Sequence, residues 1–217
     1  VEAAMKSLLA ILTAILLVVT LAPGVRAEVM IGAMGGVTRT SWGGDTPEKG
    51  QYRSTYGFTL GAEVDVAVYR STWLSVQPSF VQRGSKVAFE VKGSGDRIDS
   101  VEVNLDYFSL PILVKVETLG GRFYVSGGFE MAWLMNARYK TPTQDLDPSA
   151  EFKKYDFLIN LGIGYTIPAG KSIIFLELRY SQSTMNVGEE SEAAEDLIEP
   201  RVKNEGAMLV VGVLYDF

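Results

Sequence analysis

The chain has 217 residues, 47% of them hydrophobic, a formal net charge of −6, and neither cysteine nor histidine. The length suits one domain with a sizeable buried surface. The missing residue types exclude disulfides, thiolate metal sites, cysteine nucleophiles and every Ser-His or Asp-His mechanism, and the acidic balance argues against a nucleic-acid partner.

The first element is an address. Lys6 opens a short positive stretch, residues 8–21 are apolar, and Val25 and Ala27 match the small-residue pattern before a cleavage site. The apolar run is shorter than the roughly 20 residues of a spanning helix. The reading is a cleavable signal peptide over residues 1–27, with no lipoprotein cysteine after it, followed by one domain over residues 28–217.

From residue 29 onward the pattern has period two. In residues 56–68, Tyr56, Phe58, Leu60, Ala62, Val64, Val66 and Val68 share one face, while Gly57, Thr59, Gly61, Glu63 and Asp65 share the other. Successive strand side chains point to opposite faces, so this is a strand with one apolar and one polar side. The same alternation predicts strands near 29–41, 54–69, 73–91, 98–117, 121–137, 153–167, 172–186 and 203–217. Each reaches the roughly 9–11 residues that a tilted membrane strand requires. One place fits badly: Val101, Val103 and Leu105 are odd-numbered, whereas Leu110, Ile112, Val114 and Val116 are even. Either a β-bulge lies near residues 106–108 or the first part stands above a bilayer.

The connections alternate in length. Arg70-Ser71, Leu119-Gly120-Gly121 and Pro168-Ala169-Gly170-Lys171 read as tight turns. Longer polar links lie near 41–53, 136–152 and 182–203, the last of them acidic. Short turns at one end and long loops at the other are expected of an outer-membrane barrel with both termini on the periplasmic side. The predicted fold is therefore all-β: about eight antiparallel strands in an up-and-down transmembrane β-barrel.

Three features put the apolar face outward. The less apolar face is rich in small residues, including Gly57, Gly61, Gly128, Gly162, Gly164 and Gly212, as a narrow lumen demands. The same face carries Glu63, Asp65, Glu130 and Glu177 against Arg83, Lys115, Arg122 and Arg179, a candidate structural charge network in the lumen. Aromatic residues near strand ends (Trp42, Tyr56, Trp73, Tyr107, Trp133, Tyr165, Tyr180, Tyr215 and Phe217) suit two interfacial girdles. Tyr215 and the terminal Phe217, on an alternating strand, are similar to the signal read by the barrel-assembly machinery.

Several stretches carry a family resemblance. They are Gly57-Phe58-Thr59-Leu60-Gly61-Ala62-Glu63, Leu74-Ser75-Val76-Gln77-Pro78-Ser79-Phe80-Val81-Gln82-Arg83-Gly84, and Leu105-Asp106-Tyr107-Phe108-Ser109-Leu110-Pro111-Ile112-Leu113-Val114-Lys115, with Leu178-Arg179-Tyr180-Ser181 and the last strand. Together these touch nearly the whole chain after residue 28 and resemble the PorT family of outer-membrane β-barrels. The motifs specify barrel geometry rather than chemistry. The resemblance implies a bacterial outer-membrane location and, for some members, a part in protein secretion.

The expected function is a small integral outer-membrane barrel with a structural or interaction role, without catalysis, metal or cofactor. Its expected partners are outer-membrane lipids, the barrel-assembly machinery and an envelope protein met through the loops, and the expected state is a monomer. The alternatives are a narrow channel for small solutes and a soluble periplasmic, lipocalin-like barrel with the facing inverted.

Overall fold

The computed structural model describes residues 28–44, 50–90, 98–118, 120–140, 145–146, 152–188 and 201–216. The expected signal peptide, the acidic run within 189–199 and Phe217 lie outside the described residues. Ten strand segments appear in chain order: β1 Val29–Gly44, β2 Gly50–Tyr69, β3 Thr72–Val76, β4 Ser79–Glu90, β5 Ile98–Glu117, β6 Phe123–Lys140, β7 Asp145–Leu146, β8 Tyr155–Ala169, β9 Ser172–Ser183 and β10 Val202–Asp216. Segments β3 and β4 are two halves of one stave, and the two residues of β7 pair antiparallel with the loop end of β6. Eight staves remain. Each pairs antiparallel with its sequence neighbour, and β1 pairs with β10 from Met30↔Asp216 to Gly44↔Val202, which closes the ring. A closed sheet has no free edge, the condition for a sheet to sit in lipid.

The break between β3 and β4 falls at Gln77-Pro78, where proline has no N–H for the ladder. Neighbouring strands repair the gap: Ala62 N–H donates to the Pro78 carbonyl and Gln77 N–H to the Pro111 carbonyl, both at 3.0 Å. The turns at one end are tight. Gly120, Gly121 and Gly170 all have positive φ, which glycine adopts without a Cβ clash. Several strands run past their expected ends at the loop side: β1 reaches Gly44, β2 starts at Gly50 and β6 reaches Lys140. Polar composition there signals exit from lipid, not loss of the ladder.

The misfit in β5 is not a change of face, and the bulge beside it lies on the partner strand. Asp106 pairs with Asn136 but Tyr107 with Leu134, so β6 carries one extra residue, Met135, as a bulge. Below it Phe108 and Trp133 face outward together, and their rings are 5.8 Å apart. Within β5 the inward row stays odd-numbered throughout: Val103, Leu105, Tyr107, Ser109, Leu113 and Lys115 are all buried. The apolar residues Val103 and Leu105 therefore mark an apolar loop end of the lumen, not a change of face.

The outer wall is apolar. Phe58, Leu60, Val125, Phe129, Ile159, Leu161, Ile163, Leu176, Leu178, Leu209 and Val211 are all exposed. Cross-strand ring pairs such as Phe58–Phe80 at 5.4 Å and Phe129–Phe157 at 5.9 Å lie on the same wall. From Tyr155 to Ile167 along β8 the wall rises roughly 30 Å for strands tilted about 40°. A continuous exposed apolar band of that height has no place on a water-soluble surface. The expected girdle is revised at three positions: Trp42, Trp73 and Tyr107 are buried inside the barrel, because their parity places them on the inward rows of β1, β3 and β5. Tyr56, Tyr180 and Tyr215 remain exposed, and Trp133 pairs with Phe108 on the outer wall.

Leu176 lies on the outer wall, opposite Val211 on one side and Tyr165 on the other. Leu176→Arg is expected to destabilise the barrel by about 2–4 kcal/mol, measured by denaturant unfolding in lipid vesicles. An unchanged midpoint would show that this wall does not meet lipid.

Candidate functional site

The inward rows are stratified. At the turn end Met30, Trp73, Phe175 and Leu214 form an apolar layer that continues up the β1/β10 wall through Met34, Met208 and Val210. At the loop end Trp42, Val87, Val103, Leu105, Phe152, Leu158, Val187 and Val202 form a second apolar layer. Between them lies the charged layer.

Its lower part is built on Lys115 of β5, flanked by two carboxylates of β2. The ammonium contacts Glu63 and lies 3.0 Å from Asp65 Oδ2. It also stands 5.3 Å from the Tyr124 ring centroid and 5.2 Å from that of Phe175, which adds cation–π attraction in a dry site. Ser75 Oγ donates to Glu63 at 3.3 Å and Gln77 donates to Ser75 at 3.0 Å.

On β9, Glu177 accepts from Arg179 Nε at 2.7 Å, from the Tyr124 hydroxyl at 2.7 Å and from Ser126 at 3.1 Å. These bonds need room on β8, and glycine leaves it. A Cβ on Gly164 would overlap the Tyr124 ring, and one on Gly162 would stand 2.4 Å from Ser126 Oγ.

Higher up, Arg83 of β4 meets Glu130 of β6, and Ser109 donates to the same carboxylate. Asn160 holds its other oxygen at 3.0 Å, and Ser181 donates to Asn160. Above them Asp156 accepts from Ser183 and, at 3.0 Å, from Asn204. Asn204 in turn accepts from the Trp42 indole at 3.1 Å, tying the charged layer to the apolar layer above.

Seven of the eight residues expected in the lumen are buried there: Glu63, Asp65, Arg83, Lys115, Glu130, Glu177 and Arg179. Arg122 is elsewhere. It is exposed at the turn before β6, and its guanidinium lies 3.4 Å from the Tyr165 hydroxyl. It shares parity with the inward row, but it precedes the first paired residue of β6, Phe123, so parity does not fix its direction. Asp156, Asn160, Asn204 and Tyr124 complete the network beyond the residues that the charge pattern predicts. For Asp156, Asn160 and Tyr124 the signal was there, because they lie on the polar parity of β8 and β6. Asn204 likewise lies on the even-numbered inward row of β10, with Val202, Met208, Val210 and Leu214.

Five buried carboxylates thus share the lumen with three buried cations. Glu63, Glu130, Glu177 and Asp156 each accept two or more hydrogen bonds, and Asp65 accepts one from Lys115; such partners are what make a buried ion tolerable. Arg83 Nη1, Arg179 Nη2, Glu63 Oε2, Asp65 Oδ1 and Gln77 Oε1 have no protein partner. A cavity of about 20 Å³ beside Asp65 and Lys115 has room for one water. Among the described residues no group of three or more acidic side chains is arranged to hold a metal ion.

Removing one member should be worse than removing a set. Lys115→Met leaves two buried carboxylates uncompensated and is expected to cost about 3–5 kcal/mol. Adding Glu63→Gln and Asp65→Asn should restore most of that loss; unfolding midpoints of the single and triple variants check it. Gly162→Trp should abolish the folded band in an unboiled gel, since even its Cβ collides with Ser126.

Solved structures similar to this chain include Ail, the attachment invasion locus protein of Yersinia pestis, at 14% identity, covering 88% of this chain and 99% of that one, with a TM-score of 0.45. Neisserial surface protein A is similar at 11% identity, 86% and 97% coverage and a TM-score of 0.47. OprG of Pseudomonas aeruginosa is similar at 14% identity, 88% and 96% coverage and a TM-score of 0.46. No curated protein sequence matches the chain. The model of the outer membrane protein beta-barrel domain matches residues 24–187, and the chain belongs to that family of bacterial outer-membrane proteins.

Proposed function

We propose that this outer-membrane barrel is a closed, non-conducting scaffold whose loops engage another envelope component. The observation that carries the reading is the filled lumen: an apolar layer, a hydrogen-bonded charged layer and a second apolar layer occupy its whole height. Eight staves enclose just enough space for side chains, whereas aqueous porins need about 16–18 strands. In this reading both termini are periplasmic, the loop end is extracellular, and the barrel is a monomer in outer-membrane lipid. The last strand, with Tyr215 outward, is in this reading the segment met by the barrel-assembly machinery. The reading includes no catalysis and no cofactor; it is supported by a chain without histidine or cysteine, the side chains most used as base and nucleophile.

The PorT-like stretches favour a place in a secretion or envelope assembly. Those on β2, β3, β4 and β5 supply the inward residues Glu63, Ser75, Gln77, Arg83, Ser109 and Lys115, so the resemblance follows the residues that fill the lumen.

Two measurements test this. In planar bilayers the folded barrel is expected to give no conductance above the bare lipid; discrete channel openings would favour the narrow-channel reading instead. In-cell cross-linking followed by a pull-down should recover an envelope protein besides the barrel-assembly machinery. Recovery of that machinery alone would remove the assembly role.

A further inference from the structure

At the turn end the lumen opens through a cavity of about 20 Å³. Asp65 and Lys115 of the charged layer make its floor, and Glu117, Thr166 and Ile173, all half-buried, make its mouth. Trp73 lies along its side, and the indole N–H donates to Glu117 at 3.1 Å. Two carboxylates, from β2 and β5, thus face one small space.

One of their oxygens is bare. The Asp65 side chain is 3% exposed, and its Oδ2 lies 3.0 Å from the Lys115 ammonium. Its Oδ1 is buried with no protein donor. A carboxylate oxygen in that position needs a positive or donating partner. Thr166 offers another oxygen. Its hydroxyl donates to the carbonyls of Gly121 and Arg122, at 3.2 and 3.1 Å, which leaves its lone pairs free.

The surrounding charges ask for a positive partner. Glu63, Asp65 and Glu177 face only Lys115 and Arg179, so this part of the layer has one carboxylate in excess. Glu117 adds another negative charge at the mouth. Lys115 has nothing to spare, because Glu63 and Asp65 already share its ammonium. The exposed cations of the turn end are engaged on the outer wall. Arg70 lies over the Tyr69 ring, Lys171 over the Tyr215 ring, and Arg122 beside the Tyr165 hydroxyl. Among the described residues, Lys115 is the one cation that lines the cavity.

We propose that this cavity binds one alkali-metal cation, held by Asp65 Oδ1, the Glu117 carboxylate and the Thr166 hydroxyl. Volume and donor count select the class. The space takes one water-sized body. Ca²⁺ takes about 6–8 oxygens, and Mg²⁺ keeps several tightly held waters that would not fit. A single positive charge also balances the excess carboxylate of the layer. The site is independent of what the loops engage.

The test uses the full folded chain in zwitterionic detergent micelles at fixed pH and ionic strength. Sodium or potassium chloride replaces N-methylglucamine chloride, whose organic cation is too wide for the cavity. A gel shift verifies that each variant is folded. The readouts are tryptophan emission, with Trp73 on the cavity wall, and the unfolding midpoint in urea. The alkali-metal ions are expected to shift the emission and to raise the midpoint saturably. Glu117→Gln keeps an acceptor for the Trp73 indole and should weaken binding by about tenfold or more. Asp65→Asn should remove it, but that change also disturbs Lys115, so Glu117→Gln decides. Trp73→Phe should lose the emission shift and keep the midpoint effect. Glu102→Gln, at the loop end, should alter neither. Identical emission and midpoint in N-methylglucamine and in the alkali-metal salts would leave only a water in the cavity and overturn the proposal. So would an undiminished response in Glu117→Gln, which would place the ion elsewhere.

Discussion

Every part of this molecule answers to one constraint: a backbone in hydrocarbon must satisfy all its N–H and C=O groups without water. The β1–β10 pairing meets it by removing the last free edge. Where a ladder bond is lost, neighbouring strands replace it. Carbonyls of Pro78 and Pro111 take the N–H groups of Ala62 and Gln77. Thr38 and Thr40 of β1 reach across to Gln82 and Gly84 of β4 at 2.8 and 3.0 Å, where β2 carries one extra residue between Ser54 and Thr59.

Closure with eight staves then dictates the interior. The space is too narrow for bulk water and too wide to leave empty, so inward side chains fill it. Two solutions alternate along the axis. Apolar layers plug both ends, and ions fill the middle, each carboxylate tied to at least one donor. Gly162 and Gly164 belong to this economy of space, because Ser126, Glu177 and Tyr124 use the volume that their missing side chains leave. The outer wall solves the opposite problem with the opposite composition, apolar where it meets lipid and charged toward the loop end. A small barrel of this kind offers chemistry to the outside mainly at its rim and loops.

Much of this was legible in the chain. Period-two alternation located all eight staves and the lumen residues from Glu63 to Arg179, because side-chain facing in a strand follows from parity alone. Glycine and proline located the tight turns. Parity was also the source of the errors. It holds only inside a paired ladder, so it misplaced Arg122 at a turn. Aromatic character near strand ends predicts a girdle, although Trp42, Trp73 and Tyr107 sit on inward rows.

Sequence by itself determined the strands, their two faces and the inverted arrangement, since these depend on local alternation and on the residue types that lipid and a narrow lumen admit. Only the tertiary structure decided which carboxylate meets which cation, that Asn204 bridges Asp156 and Trp42, and that Asp65 and Glu117 line one cavity. Those contacts join residues far apart in the chain. Their partners are set by the register between strands, and register depends on turn geometry, on the bulge at Met135 and on ring closure, which no single strand encodes.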